Sequence, residues 1–229
     1  MLKIANLLNR NEVQEYQALL AQADWQDGKL AAGHQAKQTK ENLQLAEDSE
    51  LARKLGDHIM LKLGQSNEFM SAALPAKIYP PMFNCYQGDG HFGKHIDNAI
   101  RKIPGAAVKL RSDLSATVFL SAPEGYAGGE LLIDSGLSQQ SIKLSAGDVL
   151  LYSASTVHEV LPVSQGHRYA AVFWVQSLVK SNHHRRILYD LDTSIQALTL
   201  ESSTSKESST SKESSTSKES STSKESSTS

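Results

Sequence analysis

Three side chains whose types suit metal binding stand out in the sequence: His95, Asp97 and His158. In an extended strand, residues i and i+2 point to the same face, so His95 and Asp97 can present a ring nitrogen and a carboxylate oxygen to one cation. His158, on a distant strand, would complete a set of two histidines and one carboxylate. Such a set leaves about three positions of an octahedron open, which suits Fe(II) in oxygenases better than structural zinc, whose sites are closed.

A candidate anion-binding residue, Arg168, follows His158 by ten positions. A planar guanidinium binds a remote carboxylate through two parallel charge-assisted hydrogen bonds, which a dicarboxylate co-substrate of the metal would require. His158 and Arg168 flank a turn near Pro162 to Gly166, so we expect them on adjacent antiparallel strands. If both side chains face the interior, the numbers of any two residues that pair across those strands must add up to an even value. An odd sum would place Arg168 on the outer face.

The elements that must position these residues are short strands. From Pro75 onward the chain consists of β-type runs at about ten-residue spacing, separated by turn residues such as Gly88-Asp89-Gly90, which indicates an antiparallel sandwich or barrel. Apolar residues at helical spacing predict helices over 11–23, roughly 48–63 and after 176, with Asn9 or Asn11 as the N-cap of the first. The fold class is therefore mostly β with flanking helices. We divide the chain into an N-terminal helical and strand support region (1–74), a β core (75–178), a C-terminal helix (179–200) and a tail (201–229).

The tail from Glu201 to Ser229 repeats Glu-Ser-Ser-Thr-Ser-Lys and contains no apolar residue. Such a composition cannot offset the entropy of ordering, and it offers no core for a solenoid. We therefore expect a disordered, solvated extension without a catalytic part.

Composition excludes several classes of protein. The net charge is −2 over 229 residues, and residues 1–200 are nearly neutral, which argues against a nucleic-acid partner. The single cysteine, Cys85, excludes an internal disulfide framework and a four-cysteine metal site, and it fits a reducing compartment. No window approaches the roughly 20 apolar residues that cross a bilayer, and the N-terminus lacks the continuous apolar stretch of a signal peptide. These features predict a cytoplasmic protein without a membrane association.

Three stretches also carry a resemblance to a family: FNCYQGDGHFGKHIDNAI, RSDLSATVFLSAPEGYAGGELLI and KLSAGDVLLYSASTVHEVLPVSQGHRYAAVFWVQSLV. They resemble the PKHD-type hydroxylases, bacterial iron- and 2-oxoglutarate-dependent dioxygenases related to prolyl 4-hydroxylases, and the similarity covers nearly all of residues 1–200. The resemblance implies a double-stranded β-helix (jelly-roll) core. It also implies that Fe(II) is bound by His95, Asp97 and His158, and the far carboxylate of 2-oxoglutarate by Arg168. Tyr86 matches a tyrosine that commonly helps to hold the co-substrate, although a barrel-packing aromatic is the alternative.

The same resemblance implies a reaction, in which decarboxylation of 2-oxoglutarate to succinate by dioxygen is coupled to hydroxylation of a substrate. L-Ascorbate as the reductant of the iron and a context of iron uptake are also implied. The substrate, whether peptidyl, amino-acid-like or siderophore-like, and the oligomeric state stay open. Family members usually continue into a further C-terminal helical segment, whereas here the resemblance ends near Leu200.

Two other functions fit parts of the pattern. A non-catalytic iron or 2-oxoglutarate sensor would use the same fold and ligands. A zinc hydrolase would use the three ligands but gives no role to Arg168, so it ranks lower. Four basic residues after the His-x-Asp triplet are either exposed loop charges or a rim that attracts an acidic substrate: Arg101, Lys102, Lys109 and Arg111.

Overall fold

The described residues form β-sheets flanked by helices. A computed structural model describes residues 1–31, 38–103 and 105–219, with residue 31 and residues 201–219 described for the backbone only. Within these ranges the helices are α1 (Arg10–Ala21), α2 (Glu50–Gln65), α3 (Asn67–Ala73) and α4 (Asn182–Glu219). Residues 1–185 form one compact unit and residues 186–229 a second. None of the described helices is both long and apolar enough to cross a membrane.

The strands are numbered in chain order. They are β1 (Leu2–Ile4), β2 (Trp25–Asp27), β3 (Lys40–Glu41), β4 (Leu43–Leu45), β5 (Pro75–Ile78), β6 (Met82–Tyr86), β7 (Gly90–His95), β8 (Ile100–Lys102), β9 (Lys109–Arg111), β10 (Leu114–Phe119), β11 (Tyr126–Gly128), β12 (Leu131–Asp134), β13 (Gln139–Ile142), β14 (Val149–Ser153), β15 (Val157–Gly166) and β16 (Arg168–Ser177).

Two antiparallel sheets and a small hairpin hold these strands. The first sheet has the order β1-β14-β10-β16-β6-β4-β2, with β5 added to β16. The second sheet has the order β13-β12-β15-β7-β3, with β11 added to β15, and β8 pairs with β9 alone. Strands β1, β2 and β4 of the N-terminal region thus extend the first sheet. The predicted fold class, mostly β with flanking helices and a jelly-roll core, is confirmed.

Alternation along β16 separates two layers of core. Ala171, Phe173 and Val175 are fully buried and pack in the cluster that the helices α1, α2 and α3 form against the first sheet. Arg168 and Trp174 belong to the opposite face of the same strand, because side chains alternate along a strand. The aromatic and aliphatic cluster on that face contains Tyr86 and residues of the second sheet, among them Leu131 and Val160 from β12 and β15.

Helices α1, α2 and α4 begin near the residues that the sequence predicts, whereas α3 is not among the predicted helices. Asn9 caps α1: its side chain accepts hydrogen bonds from the backbone N–H groups of Asn11 and Glu12, and the Glu12 carboxylate accepts one from the Asn9 N–H. This reciprocal capping box satisfies donors that a helix N-terminus otherwise leaves free. The polar stretch between α1 and α2 contains β2, β3 and β4, as expected, although its residues 32–37 lie outside the described part of the chain.

Helix α4 continues from the predicted C-terminal helix into the repeat, as far as Glu219. This helical backbone differs from the disordered tail expected over 201–219. A helix satisfies its backbone hydrogen bonds internally, so it can form without a buried partner. The prediction of disorder from the lack of apolar residues does not include this internal contribution. Isolated helices of such residues are marginal in water, and residues 220–229 lie outside the described ranges. The disordered tail and the three boundaries between the four predicted segments therefore stay predictions.

The layer between helices and first sheet should dominate stability. Phe173 is fully buried and meets Phe69 of α3 edge to face, with 6.3 Å between ring centroids. We expect Phe173→Ala to lower the free energy of unfolding by about 3–5 kcal/mol, because it leaves a cavity in a closed core. Urea unfolding followed by circular dichroism measures this loss. The control Leu61→Ala, at a side chain exposed on α2, should change it by less than about 0.5 kcal/mol, and equal losses would contradict the assignment of this core.

Candidate metal centre and co-substrate site

The second sheet brings His95, Asp97 and His158 together. His95 ends β7 and lies directly opposite His158 of the antiparallel neighbour β15, an arrangement that puts both rings on one face. Asp97 follows just after the end of β7 rather than within it. The exposed Ile96 between them keeps the alternation, so the Asp97 side chain still turns toward the histidines. One ligand atom from each of the three residues lies within 4.8 Å of the others.

Both imidazole rings are oriented by backbone carbonyl groups. Nδ1 of His95 lies 2.7 Å from the Gly93 oxygen, and Nδ1 of His158 lies 3.0 Å from the Thr156 oxygen. A protonated Nδ1 donates to that oxygen and leaves the lone pair on Nε2, the atom free to bind a metal. Burial, together with the charge of His158, lowers the pKa of His95 to about 4. The His95 ring is therefore neutral at pH 7, as a metal ligand must be.

The carboxylate of Asp97 is held from two sides. The Ser115 hydroxyl of β10 donates a 2.6 Å hydrogen bond to Oδ2, and Nη2 of Arg101 lies 3.3 Å from Oδ1. The Arg101 guanidinium also lies over the Trp174 ring, 3.1 Å from its centroid. These partners fix the direction of the Asp97 carboxylate, whose Oδ2 lies 3.6 Å from Nε2 of His158.

The structure decides between the two interpretations of the basic residues after the His-x-Asp triplet. Lys102 and Lys109 are exposed on the β8–β9 hairpin, as ordinary surface charges are. Arg111 forms a bidentate ion pair with Asp113. Arg101 instead turns inward to Asp97, so it is part of the site and not an exposed loop charge.

Arg168 lies at the first residue of β16 and is only 2% exposed. Its guanidinium lies over two aromatic rings, 5.1 Å from the Tyr86 centroid and 5.5 Å from that of Phe119. No ion pair in the described part of the chain involves Arg168, and its Nε has no hydrogen-bond partner there. A buried cation in apolar surroundings is costly without a compensating anion. The position thus has the chemistry of a carboxylate-binding site.

Two further groups shape the surroundings of Arg168. The Tyr126 hydroxyl is buried and also lacks a partner among the described residues, while burial raises its pKa, so it stays protonated and able to donate. Gly129 has a positive φ of 68°, and a Cβ there would come within 3.0 Å of Cδ of Arg168. Glycine at position 129 therefore leaves room for the Arg168 side chain to pack against the backbone there.

The expected pairing of the His158 and Arg168 strands is wrong. Pro162 to Gly166 belong to β15 itself, and the chain crosses at His167 from the second sheet to the first. β15 pairs with β7, β11 and β12, whereas β16 pairs with β5, β6 and β10. Because β15 and β16 do not pair with each other, the expected even sum of paired residue numbers does not apply. Arg168 faces inward through the alternation of β16, and its direct partner on β6 is Tyr86.

All five residues singled out in the sequence line one cavity of about 820 Å³: His95, Asp97, His158, Arg168 and Tyr86. Its volume lies within the roughly 300–1,000 Å³ typical of small-molecule sites. Sequence reasoning missed Ser115, Lys40 and Tyr126. Ser115 lies on the inward face of the alternating strand LSATVF, which could have indicated it, whereas Lys40 sits in a polar connection with no periodic signal.

Ser115 should matter through Asp97. We expect Ser115→Ala to weaken the binding of Fe(II) or Co(II) by about 10–100-fold, because outer-shell hydrogen bonds orient a ligating carboxylate. Titration of the metal-free protein with Co(II), followed by its visible absorption, measures this change. The matched control Ser164→Ala removes an exposed hydroxyl from β15 and should leave the affinity unchanged. Equal affinity in both variants would remove Ser115 from the site.

Comparisons with known proteins agree with this chemistry. A family model described as the 2OG-Fe(II) oxygenase superfamily matches residues 81–176. A PKHD-type hydroxylase of Saccharophagus degradans is 50% identical over 205 residues, which cover 90% of this chain and 91% of the relative. The PKHD-type hydroxylase PiuC of Pseudomonas aeruginosa is 48% identical over 199 residues, which cover 87% and 88%.

A solved structure supports the fold independently. A Pseudomonas putida prolyl-4-hydroxylase is similar with a TM-score of 0.52 at 16% identity, over 78% of this chain and 92% of that one. At this identity the likeness concerns the fold alone. The identity and coverage of the bacterial relatives establish the family, so the chain belongs to the PKHD-type hydroxylases of the 2OG-Fe(II) oxygenase superfamily and is an Fe(II)- and 2-oxoglutarate-dependent dioxygenase.

Proposed function

We propose that the reaction of the family takes place in the cavity described above, with His95, Asp97 and His158 binding Fe(II) and Arg168 binding the distal carboxylate of 2-oxoglutarate. The observation that carries this proposal is the buried Arg168, which has no acidic partner in the described part of the chain yet lines the same cavity as the histidines and Asp97. A zinc hydrolase would leave that buried charge without a function.

The residues of the chain divide the work. When bound, Fe(II) supplies the activation of dioxygen that couples oxidative decarboxylation of 2-oxoglutarate with hydroxylation of a C–H bond. Arg168 and the Tyr126 hydroxyl would anchor the distal carboxylate, and Tyr86 would provide a wall of the co-substrate site. Burial keeps the pKa of Tyr86 above its usual value, so that its hydroxyl can also donate to a carboxylate.

Two further parts of the proposal concern the setting of the reaction. L-Ascorbate would restore Fe(II) after turnovers that proceed without substrate. The cytoplasm is the proposed compartment, which is supported by a single cysteine, Cys85, whose buried thiol has its pKa raised to about 12. Such a thiol is unreactive and forms no disulfide.

The test is the formation of succinate. Protein loaded with Fe(II) and 2-oxoglutarate without oxygen is exposed to air, and we expect one succinate for each 2-oxoglutarate consumed, with a rate that ascorbate sustains over repeated turnovers. Zn(II)-loaded protein is the matched control and should form none. Binding of 2-oxoglutarate without succinate would favour the sensor, while no binding would refute the role of Arg168.

A further inference from the structure

A second buried cation, Lys40, lines the same cavity. It lies on β3, beside Phe92 of β7, and only 6% of the residue is exposed. Its Nζ donates a 2.9 Å hydrogen bond to Oε1 of Gln44 and lies 5.7 Å from the centroid of the Phe92 ring. Both Lys40 and Gln44 line the cavity. An ammonium group has three hydrogen atoms to donate, and one described side chain accepts only one of them.

No carboxylate among the described residues forms an ion pair with Lys40, although the charges of Glu47 and Asp27 act on it from beyond ion-pair distance. The neighbouring residues 32–37 contain no aspartate or glutamate in the sequence. Burial, followed by the charge of Arg101, lowers the pKa of Lys40 to about 8. The amine is therefore still mostly protonated at pH 7. A charged lysine that is buried without a directly paired anion is rare in proteins, because distant charges offset little of the desolvation.

Lys40 and Arg168 belong to different walls of the cavity. Lys40 lies on the second sheet, and its charge acts on His95 and Arg101. Arg168 lies on the first sheet, and its charge acts on Tyr86 and Tyr126. The distal carboxylate of one 2-oxoglutarate therefore has its own cation at Arg168, and Lys40 is left for another anion.

The number of available donors defines that anion. Arg101, whose charge also acts on Lys40, is directed to Asp97 and lies on the Trp174 ring, although its buried Nε has no hydrogen-bond partner among the described residues. One ammonium and the amide of Gln44 suit a carboxylate, whereas a phosphate dianion would need more donors. The adjoining Phe92, Met82 and Trp174 side chains offer an apolar surface to the carbon skeleton that carries it.

We propose that Lys40 binds a carboxylate group of the molecule that is hydroxylated, with Gln44 as its neighbouring polar contact. This inference rests on the proposed function, because it takes the cavity as the site of hydroxylation. It narrows the substrate to an organic acid whose carboxylate is bound beside Phe92, the residue whose ring stacks on His95 with 3.6 Å between centroids. Only the Phe92 ring would thus separate the carbon skeleton of such an acid from His95, a candidate metal ligand.

The test compares acids with their neutral amides. In the absence of oxygen, the Fe(II) protein is first saturated with 2-oxoglutarate, which occupies the Arg168 site. It is then titrated by calorimetry with acetate, phenylacetate and indole-3-acetate, and separately with the three corresponding amides. At least one acid should bind about tenfold or more tightly than its amide. In Lys40→Met that ratio should fall to about one, and Lys40→Arg should restore part of it. Lys77→Met, which removes the same charge from the exposed strand β5, should keep the ratio of the unmodified protein.

Several results would overturn the inference. Equal affinities for acid and amide in the unmodified protein would do so, as would the absence of binding for all three acids or an undiminished ratio in Lys40→Met. Thermal unfolding of each variant shows whether it is folded, and Lys40→Gln provides a second neutral variant if Lys40→Met is not. Failure of the proposed function has a different signature, because 2-oxoglutarate would then either not bind or bind without forming succinate. The Lys40-dependent preference for acids could still be measured in both cases.

Discussion

The substitution His158→Ala is expected to reduce the rate of succinate formation by more than about 100-fold, which exceeds the roughly 10–100-fold typical of losing an outer-shell partner. His158 faces His95 across the β7–β15 pair, so its removal leaves one imidazole and one carboxylate for the metal. The Ala variant should also lose metal affinity, since two ligands hold a divalent ion far less tightly than three. Succinate release and Co(II) titration measure the two effects separately.

A matched control separates this effect from the general loss of a histidine. His184→Ala removes an exposed imidazole near the start of α4 and should leave both the rate and the metal affinity unchanged. The interpretation would fail if His158→Ala kept metal affinity and lost only stability. In that case His158 would serve the packing against Tyr152, whose ring meets it edge-on at 5.1 Å between centroids.

Arg168→Met should raise the KM for 2-oxoglutarate by about 30-fold or more, because truncating one partner of a buried, hydrogen-bonded charge pair costs about 2–5 kcal/mol. Methionine fills a similar apolar volume between Tyr86 and Phe119, so the change removes the charge and leaves the packing largely intact. The rate at saturating 2-oxoglutarate should fall less than kcat/KM. Initial rates over a range of co-substrate concentrations give both quantities.

A truncated co-substrate makes the test specific. 2-Oxovalerate has the same chelating end as 2-oxoglutarate but no distal carboxylate, so the unmodified protein should prefer 2-oxoglutarate strongly and Arg168→Met should show almost no preference. Arg168→Lys keeps the charge but not the planar pair of donors, and it should restore the preference only in part. A preference that survives in Arg168→Met would assign the distal carboxylate to another cation that lines the cavity, such as Lys40.

Local rules of the chain account for most of what the sequence predicts correctly. Alternation along β16 directs the Phe173 side chain toward the helices and the Arg168 side chain toward the cavity. A two-residue period of this kind can be recognised in the sequence itself. The spacing of His95 and Asp97 likewise survives the end of β7, because one exposed residue between them keeps the alternation. The Asn9 capping box is local as well, since its partners lie within three residues.

What the sequence could not predict depends on contacts between distant residues. The pairing of β15 and β16 with different strands is set by how two sheets close on each other, and a ten-residue separation of His158 and Arg168 fits a hairpin equally well. Arg101 is like the exposed charges around it until Asp97 and Trp174 are seen beside it. Lys40 lies in a polar stretch that is buried only because β7 and β4 flank it.

The direct crossing of the chain from β15 to β16 has a thermodynamic consequence. The candidate metal ligands belong to the second sheet and its edge, whereas Arg168 and Tyr86 belong to the first, so a metal chelate of 2-oxoglutarate would tie the two sheets together across their interface. Ligand that binds only the closed sandwich stabilises it by linkage. The backbone amides of β7 and β15 should therefore exchange with solvent more slowly when metal and co-substrate are both present than with either alone, which makes the co-substrate a non-covalent cross-link of the fold as well as a reactant.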